Sequence, residues 1–184
     1  MTRRTQLALA TARARKAVPG QQILDPSVTT MRVTPGDLDL YLHVNNGVYL
    51  QMMDVGRANF IADLGLAQAL RERGWYPVVA ASAMTYRRSL TVGQRFQLVT
   101  RVLGWDQRVV YLEQAFWLRD ELVARGIVAG RFLARGDGRV PAPDVAALAG
   151  WHDPSPDLPD DVAAWAAAVG VAYRPRSETP RPVD

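Results

Sequence analysis

The sequence predicts an α+β domain in which a curved antiparallel sheet of five strands wraps around one long central helix. A β-branched segment is followed by one long apolar helical segment, and then by four segments whose apolar residues alternate with period two. A sheet must cover its apolar face, and this chain offers one long buried helix to cover it. We therefore expect the sheet to curve around that helix.

The length of 184 residues favours one domain with its own hydrophobic core. We expect a basic N-terminal lead-in at 1–22 that is helical over residues 7–16, a folded domain at 23–136, and a Pro-rich C-terminal extension with a short helix at 137–184. The last stretch, from Arg174, is expected to be disordered.

The first strand is predicted at residues 28–33, and Pro35 follows its end. The central helix is predicted at residues 46–64, with Asn45 or Asn46 as its N-cap, because a short amide side chain accepts a hydrogen bond from the free N–H groups of a first turn. The helix is apolar nearly all round, which is typical of a buried helix.

A short helix is expected next, at residues 67–72, and four alternating strands follow it. These strands are predicted at Trp75–Arg87, Arg95–Leu103, Arg108–Leu118 and Leu122–Arg135. Short turns separate the last three, so we expect antiparallel hairpins. One face of the sheet would stay uncovered in a monomer, which predicts a homodimer or homotetramer.

Composition excludes several kinds of site. The chain has no Cys, which excludes disulfides and a thiolate nucleophile, and its only histidines are His43 and His152, so we expect no metal site. No apolar run approaches the ~20 residues that span a bilayer, and no secretory signal is recognisable, so we expect a cytoplasmic protein without a transmembrane segment.

The net charge of +4 comes almost entirely from arginine. A basic surface can meet nucleic acid, a membrane or a phosphate-bearing ligand. The sequence contains no zinc-finger spacing and no aromatic-rich RNA-binding strand, so we expect no nucleic-acid partner and interpret the excess as a solvated surface.

The segment that is most informative about chemistry lies directly before the central helix. Asp39 and His43 stand four residues apart there, beside the free N–H groups and positive dipole end of the helix. Such a helix start can polarise a carbonyl, Asp39 can activate water or attack directly, and His43 can orient the water or carry a proton. The alternative is structural, because aspartates before a helix often only form a turn.

The same segment resembles the hotdog-fold thioesterases, in which an H-V-N-N-x-x-Y string opens the central helix. Over most of the chain it is similar to the family of thioesterase superfamily member six. The matching pieces are Asp37-Leu38-Asp39-Leu40, Leu42-His43, Asn45-Asn46, Tyr49-Leu50, Arg87-Arg88-Ser89-Leu90, Leu103-Gly104-Trp105-Asp106 and Leu158-Pro159-Asp160-Asp161-Val162 with Trp165.

The resemblance implies a hydrolase of acyl-CoA or acyl-carrier protein. Coenzyme A or phosphopantetheine is then part of the substrate, and no separate cofactor is needed. The resemblance implies catalytic roles for Asp39, His43 and Asn45. It places Asn46 and Tyr49 at the substrate.

Position 41 departs from the pattern of the plant acyl-carrier-protein thioesterases, which have an asparagine there. The phenol of Tyr41 can donate to the substrate carbonyl instead, or the helix N–H groups can act without it.

Three charged residues complete the predicted substrate site. Asp54 stands where relatives carry an acid, three residues before Arg57; we favour an internal ion pair, with a second catalytic acid as the alternative. Arg87 and Arg88 end a strand and can bind the phosphates of the carrier, because guanidinium groups suit phosphate; a basic sheet rim is the alternative.

Two rival functions share this fold. A module that binds acyl-CoA without turnover is favoured by the tyrosine at position 41. A hotdog hydratase or dehydratase ranks third, because those relatives carry small, Gly/Pro-rich residues beside their histidine, whereas Val44-Asn45-Asn46 follows His43 here.

Overall fold

One antiparallel sheet with helices on both faces makes up the computed structural model, which describes residues 2–136 and 138–173. The helices are α1 (Arg3–Ala12), α2 (Asn46–Asp63), α3 (Leu66–Glu72), α4 (Ala142–Leu148) and α5 (Asp160–Ala168). The strands are β1 (Ser27–Arg32), β2 (Trp75–Tyr86), β3 (Arg95–Trp105), β4 (Val110–Leu118), β5 (Glu121–Ala134) and β6 (Gly138–Val140).

The strand order is β1-β3-β4-β5-β2, and every neighbouring pair is antiparallel. The five predicted strands and the predicted order of elements are confirmed. The short β6, which pairs with the end of β5, and helix α4 were not predicted, because the Pro-rich composition of this region hides both.

Helix α2 lies against the sheet at a distance that only a glycine permits. A Cβ atom at Gly56 would stand 2.7 Å from Cδ2 of Leu98 and 2.9 Å from Nε2 of Gln114. Helix and sheet therefore approach closely at this point, and an apolar core that includes Met52, Met53 and Phe116 fills the space between them.

Gln114 satisfies the polar groups at this contact and is itself fully buried. Its amide nitrogen donates to the Met53 carbonyl oxygen (3.0 Å) and to Oγ1 of Thr100 (2.9 Å), and its Oε1 accepts from Nη1 of Arg57 (2.7 Å). A buried amide with all these partners fixes the position of the helix along the strands.

One face of α2 stays at the surface, so the prediction of nearly all-round burial is wrong on that side. Leu50 is 40% exposed, and the side chain of Asp54, one turn later on the same face, is 44% exposed. The N-terminal helix α1, predicted at 7–16 and observed at 3–12, packs on other parts of α2.

The C-terminal extension covers part of the outer face of the sheet. Val162, Ala166 and Val171 pack on Tyr111 and Ala129 in a second apolar cluster. The expectation that this sheet face is left uncovered in a monomer is therefore wrong for β4 and β5, because the extension supplies its own apolar side chains.

Two further sequence-based expectations concern the C-terminal end of the chain and membrane spans. The stretch from Arg174, predicted to be disordered, lies outside the described residues. Among the helices that the structure describes, none combines the length and apolar character needed to cross a bilayer.

A buried ion pair attaches α1 to the loop that follows β1. Arg3 donates from Nε to Oδ1 of Asp37 (2.8 Å) and from Nη2 to Oδ2 of Asp37 (2.6 Å) and to the Arg32 carbonyl oxygen (2.8 Å). Oδ2 of Asp37 also accepts from the Thr34 N–H (2.7 Å). Both partners of the pair are buried, so removing either side chain would leave the charge of the other buried without a partner.

Replacing Arg3 by methionine should lower the free energy of unfolding by about 3–5 kcal/mol, because the Asp37 carboxylate would remain buried without its partner. Urea denaturation at neutral pH measures the change. Arg4→Met on the exposed side of the same helix is the control and should stay within ~0.5 kcal/mol of the wild type. Equal midpoints for the two variants would contradict a stabilising role for the pair.

Candidate active site

The segment between β1 and α2 is a narrow loop closed by backbone hydrogen bonds. The Asn45 N–H donates to the Asp37 carbonyl oxygen (2.9 Å), and the Asp39 N–H donates to the His43 carbonyl oxygen (2.8 Å). The Val44 N–H donates to the carbonyl oxygen of Leu90 (3.0 Å), which attaches the loop to the turn before β3. Asp39 and His43 therefore face each other across the base of the loop.

The carboxylate of Asp39 holds the loop with one oxygen only. Its Oδ1 accepts from the N–H groups of Tyr41 (2.8 Å) and His43 (3.2 Å). Within the described part of the chain, no group donates to its Oδ2. The predicted turn and the predicted catalytic carboxylate are thus compatible, because one oxygen shapes the loop while the other stays available for chemistry.

Asn45 is the N-cap of α2. Its Oδ1 accepts from the Gly47 N–H (2.8 Å), and its carbonyl oxygen accepts from the Val48 N–H (2.9 Å). Two of the N–H groups at the helix start are therefore already engaged. The N–H of Asn46 has no acceptor among residues 2–136 and 138–173, and it remains available to polarise a carbonyl.

Tyr49 lies in the core below the helix start rather than on the surface. It is only 2% exposed, its Oη accepts from the Leu90 N–H (3.4 Å), and its ring packs edge-on against Tyr86 (5.2 Å between centroids) and Phe116 (5.1 Å). Burial raises the pKa of the Tyr49 phenol above its ordinary value. Its predicted contact with substrate stays a prediction.

Tyr86 is a site residue that the sequence analysis missed. It ends β2, is half-exposed, and donates from its Oη to the Asn46 carbonyl oxygen (3.3 Å). Burial also raises the pKa of the Tyr86 phenol above its ordinary value. The available signal was its position directly before the Arg87-Arg88 pair.

The tip of the loop is apolar and unusually exposed. Leu40 is 98% exposed, Tyr41 81% and Leu42 69%, and Leu42 has a left-handed backbone with φ of 61°. His43, also exposed, forms a β-bridge with Thr91. Contiguous exposed apolar residues of this kind mark contact surfaces.

The remaining predicted residues lie around this loop. Arg87 is exposed, whereas Arg88 forms an exposed ion pair with Glu121. Asp54 pairs with Arg57 about 12 Å along α2 from the helix start, at 1.5 Å per residue. Burial lowers the pKa of the Arg57 guanidinium, and the charge of Asp54 opposes that shift.

The structure thus brings Asp39, His43, Asn45 and Asn46 together and leaves Asp54 apart. Two clefts of the described structure lie elsewhere, one beside Arg32 and one beside Trp151. On a single copy of the chain, the loop therefore opens directly to the surface.

A curved antiparallel sheet around one helix, with a carboxylate in the loop before that helix, defines the class of hotdog-fold thioesterases and their relatives. The chain belongs to the Thioesterase-like superfamily, whose family model matches residues 33–166. Both the predicted fold and the predicted family are confirmed.

Comparison with known proteins agrees with this assignment. The chain is 34% identical to Protein THEM6 of Xenopus laevis over 134 residues, or 72% of this chain. The chain spans 63% of the length of that relative, which is less than two thirds. The crystal structure of YbaW Probable Thioesterase from Escherichia coli superposes with a TM-score of 0.62 at 18% identity, covering 68% of this chain and 96% of that one. A gentisyl-coenzyme A thioesterase superposes with a TM-score of 0.60 at 19% identity, covering 67% and 98%.

Replacing Asn45 by alanine should cost about 1 kcal/mol of stability, because the Gly47 N–H loses its acceptor. Asn45→Asp is the matched control, since a carboxylate oxygen caps a helix as well as an amide oxygen does. Chemical denaturation of the two variants provides the comparison. A loss of the same size in both would show that Asn45 stabilises the protein by some means other than capping.

Proposed function

We propose that this protein hydrolyses an acyl thioester, carried by coenzyme A or by a carrier protein, to a free acid and a thiol. Family membership supports thioesterase chemistry in general. The observation that carries the proposal is the arrangement of Asp39 in the loop that opens α2: one oxygen is fixed by loop N–H groups, the other is open, and the free N–H of Asn46 follows seven residues later at the helix start.

With Asp39 as general base, its Oδ2 takes a proton from a water molecule, and the water oxygen forms a bond to the thioester carbonyl carbon. The negative charge that develops on the carbonyl oxygen is stabilised by the Asn46 N–H and the positive end of α2. The tetrahedral intermediate then collapses, the C–S bond breaks, and the leaving thiolate receives the proton held by Asp39.

With Asp39 as nucleophile, Oδ2 attacks the same carbon directly and the thiolate leaves, which produces a mixed anhydride. Water hydrolyses the anhydride and restores the carboxylate. Both routes consume one water and release one acid and one thiol. The fixed Oδ1 serves both, because it keeps the reacting oxygen in a constant orientation.

The other predicted residues support this chemistry in different ways. His43 faces Asp39 across the loop and is exposed, which suits a group that orients water or carries a proton. Asn45 acts through the cap that fixes the helix start. Tyr41, Asn46 and the exposed Arg87 surround the entrance, where the carrier would lie.

We also propose a homodimer formed through the free edge of β2. The opposite edge of the sheet is blocked, because Arg15 donates to the Val28 carbonyl oxygen (3.1 Å) and Arg3 to that of Arg32 (2.8 Å). On β2, in contrast, Tyr76 and Val79 are nearly half exposed. Unprotected edge strands are ready to pair with a second strand.

Such a dimer would complete the site. β2 ends at Tyr86 beside the start of α2. In an antiparallel pair of β2 edges related by a two-fold axis, the beginning of the partner subunit's β2 lies near that end. The partner strand would close one side of the open loop, and the apolar loop tip would pack against it.

Asp39→Asn should reduce kcat by about 10²–10⁴-fold, the usual contribution of one acid-base group. The amide oxygen of asparagine still accepts from the N–H groups of Tyr41 and His43, so the loop should keep its shape. Free-thiol detection with short, medium, long and aryl acyl-CoAs measures the reaction.

Asp25→Asn is the control for this test, because Asp25 also accepts from a loop N–H, that of Gln22 (2.8 Å), far from the site. It should retain full activity. Undiminished turnover by Asp39→Asn would remove the mechanism. Saturable acyl-CoA binding without turnover by the wild type would select the binding module instead.

Val79→Lys should shift the protein from dimer to monomer, because a charge on an edge strand opposes strand pairing. Light scattering after size-exclusion chromatography measures the mass. Val28→Lys places the same charge on the blocked edge strand β1, where the exposed valine is comparable, and should leave the mass unchanged. Dissociation by Val28→Lys instead would locate the interface at the other edge.

A further inference from the structure

A cleft of about 360 Å³ lies between the beginning of α1 and the exposed side of β1 and β3. Three arginines contribute to its lining, and the full set of lining residues is Arg3, Gln6, Thr30, Met31, Arg32, Thr34 and Arg95. The volume falls within the ~300–1,000 Å³ typical of small-molecule sites. Thr34 is the one lining residue from the segment between β1 and α2, and Asp39, His43, Asn45 and Asn46 do not line the cleft, so it is separate from the candidate active site.

Arg32 and Arg95 are the uncompensated charges of the cleft. They stand directly opposite each other in the β1–β3 register, and both are exposed. Over residues 2–136 and 138–173 no carboxylate lies within 4 Å of either guanidinium, whereas Arg3 is neutralised by Asp37. Like charges directly opposite on an antiparallel pair destabilise the sheet.

Both guanidinium groups have N–H donors that are free to bind a ligand. Nε of Arg32 donates to the Gly93 carbonyl oxygen (3.0 Å), which orients the group and leaves its two terminal nitrogens free. In the described structure, the Arg95 side chain has no acceptor. An anion between the two would relieve their repulsion and accept several charge-assisted hydrogen bonds.

We propose that this cleft binds a phosphate group, in the form of a phosphate monoester or diester. The planar guanidinium fork matches the spacing of phosphate oxygens, and a bound dianion compensates two positive charges at once. The Arg87-Arg88 pair is the weaker candidate for this role, because Arg88 is already paired with Glu121.

The cleft is connected to the candidate active site through one turn. Arg32 binds the carbonyl oxygen of Gly93, and Thr91 in the same turn forms the β-bridge with His43. This turn thus links the cleft to the loop that carries His43, and any role of the link in turnover rests on the proposed hydrolysis. The binding of phosphate itself does not depend on it.

Isothermal titration calorimetry with inorganic phosphate tests the proposal directly on the full chain. Arg95→Gln should weaken phosphate binding about tenfold or more, as expected for the loss of a charge-assisted hydrogen bond. The same variant without phosphate should be at least as stable as the wild type, because the repulsion with Arg32 is removed. A purely structural arginine would instead lower the melting temperature when it is replaced.

Arg71→Gln on α3 is the control, since it removes the same charge from an exposed arginine on another face, and it should keep wild-type affinity within about twofold. Asp39→Asn should also bind phosphate normally, which separates this proposal from the proposed hydrolysis. Equal affinities of wild type and Arg95→Gln, an equal loss in Arg71→Gln, or no binding by the wild type would each overturn the phosphate site.

Three further ligands distinguish the sources of the phosphate. Stronger binding of coenzyme A than of inorganic phosphate, with no binding of pantetheine, which lacks phosphate, would identify the thioester carrier. Arg95-dependent binding to vesicles that contain phosphatidic acid, with none to vesicles of phosphatidylcholine alone, would identify a lipid headgroup. Arg95-dependent binding of inorganic phosphate alone would identify the free ion.

Discussion

Asp37 holds three parts of the molecule in one place. Its carboxylate binds Arg3 of α1 and the Thr34 N–H, while its carbonyl oxygen accepts from the Asn45 N–H at the start of α2. The loop that carries Asp39 is the short piece of chain between these fixed ends. Because both ends are fixed, the loop has little freedom, and the orientation of Asp39 follows from contacts made by other residues. The buried charge that achieves this is costly to desolvate, and only its pairing with Arg3 makes it stable.

The second requirement of the site is that the start of α2 keeps its place relative to the sheet. Gly56 permits the close approach, and Gln114 fixes it by binding the Met53 carbonyl oxygen and Thr100 together. These contacts lie about two turns (Met53) and nearly three turns (Gly56) from Asn46, so they set the position of the helix without occupying its start. Helix α2 thus carries both features: its middle packs against the sheet, and its start presents the free N–H of Asn46.

Most of the fold was predictable because it depends on local periodicity. Alternating strands and one apolar helix are visible in the sequence, and β1, α2 and the next four strands lie within two residues or so of their predicted bounds. The close sequence spacing of Asp39, His43 and Asn45 also placed them together correctly. Contacts between residues far apart in the chain were not predictable. Nothing in the local sequence marks Arg3 as the partner of Asp37.

The same limit explains why the outer face of the sheet was misjudged. The apolar residues of α5 were visible in the sequence, but the sheet face they cover is set by long-range packing on Tyr111 and Ala129. β4 and β5 are covered on that side, and Arg3 and Arg15 block the β1 edge, whereas the β2 edge and the loop tip both carry exposed apolar side chains. The end of β2 at Tyr86 contacts the start of α2 through the Asn46 carbonyl oxygen. In the proposed dimer, a partner that pairs with the β2 edge would also approach the helix start that follows the Asp39 loop, so the proposed assembly and the proposed chemistry would be coupled by geometry.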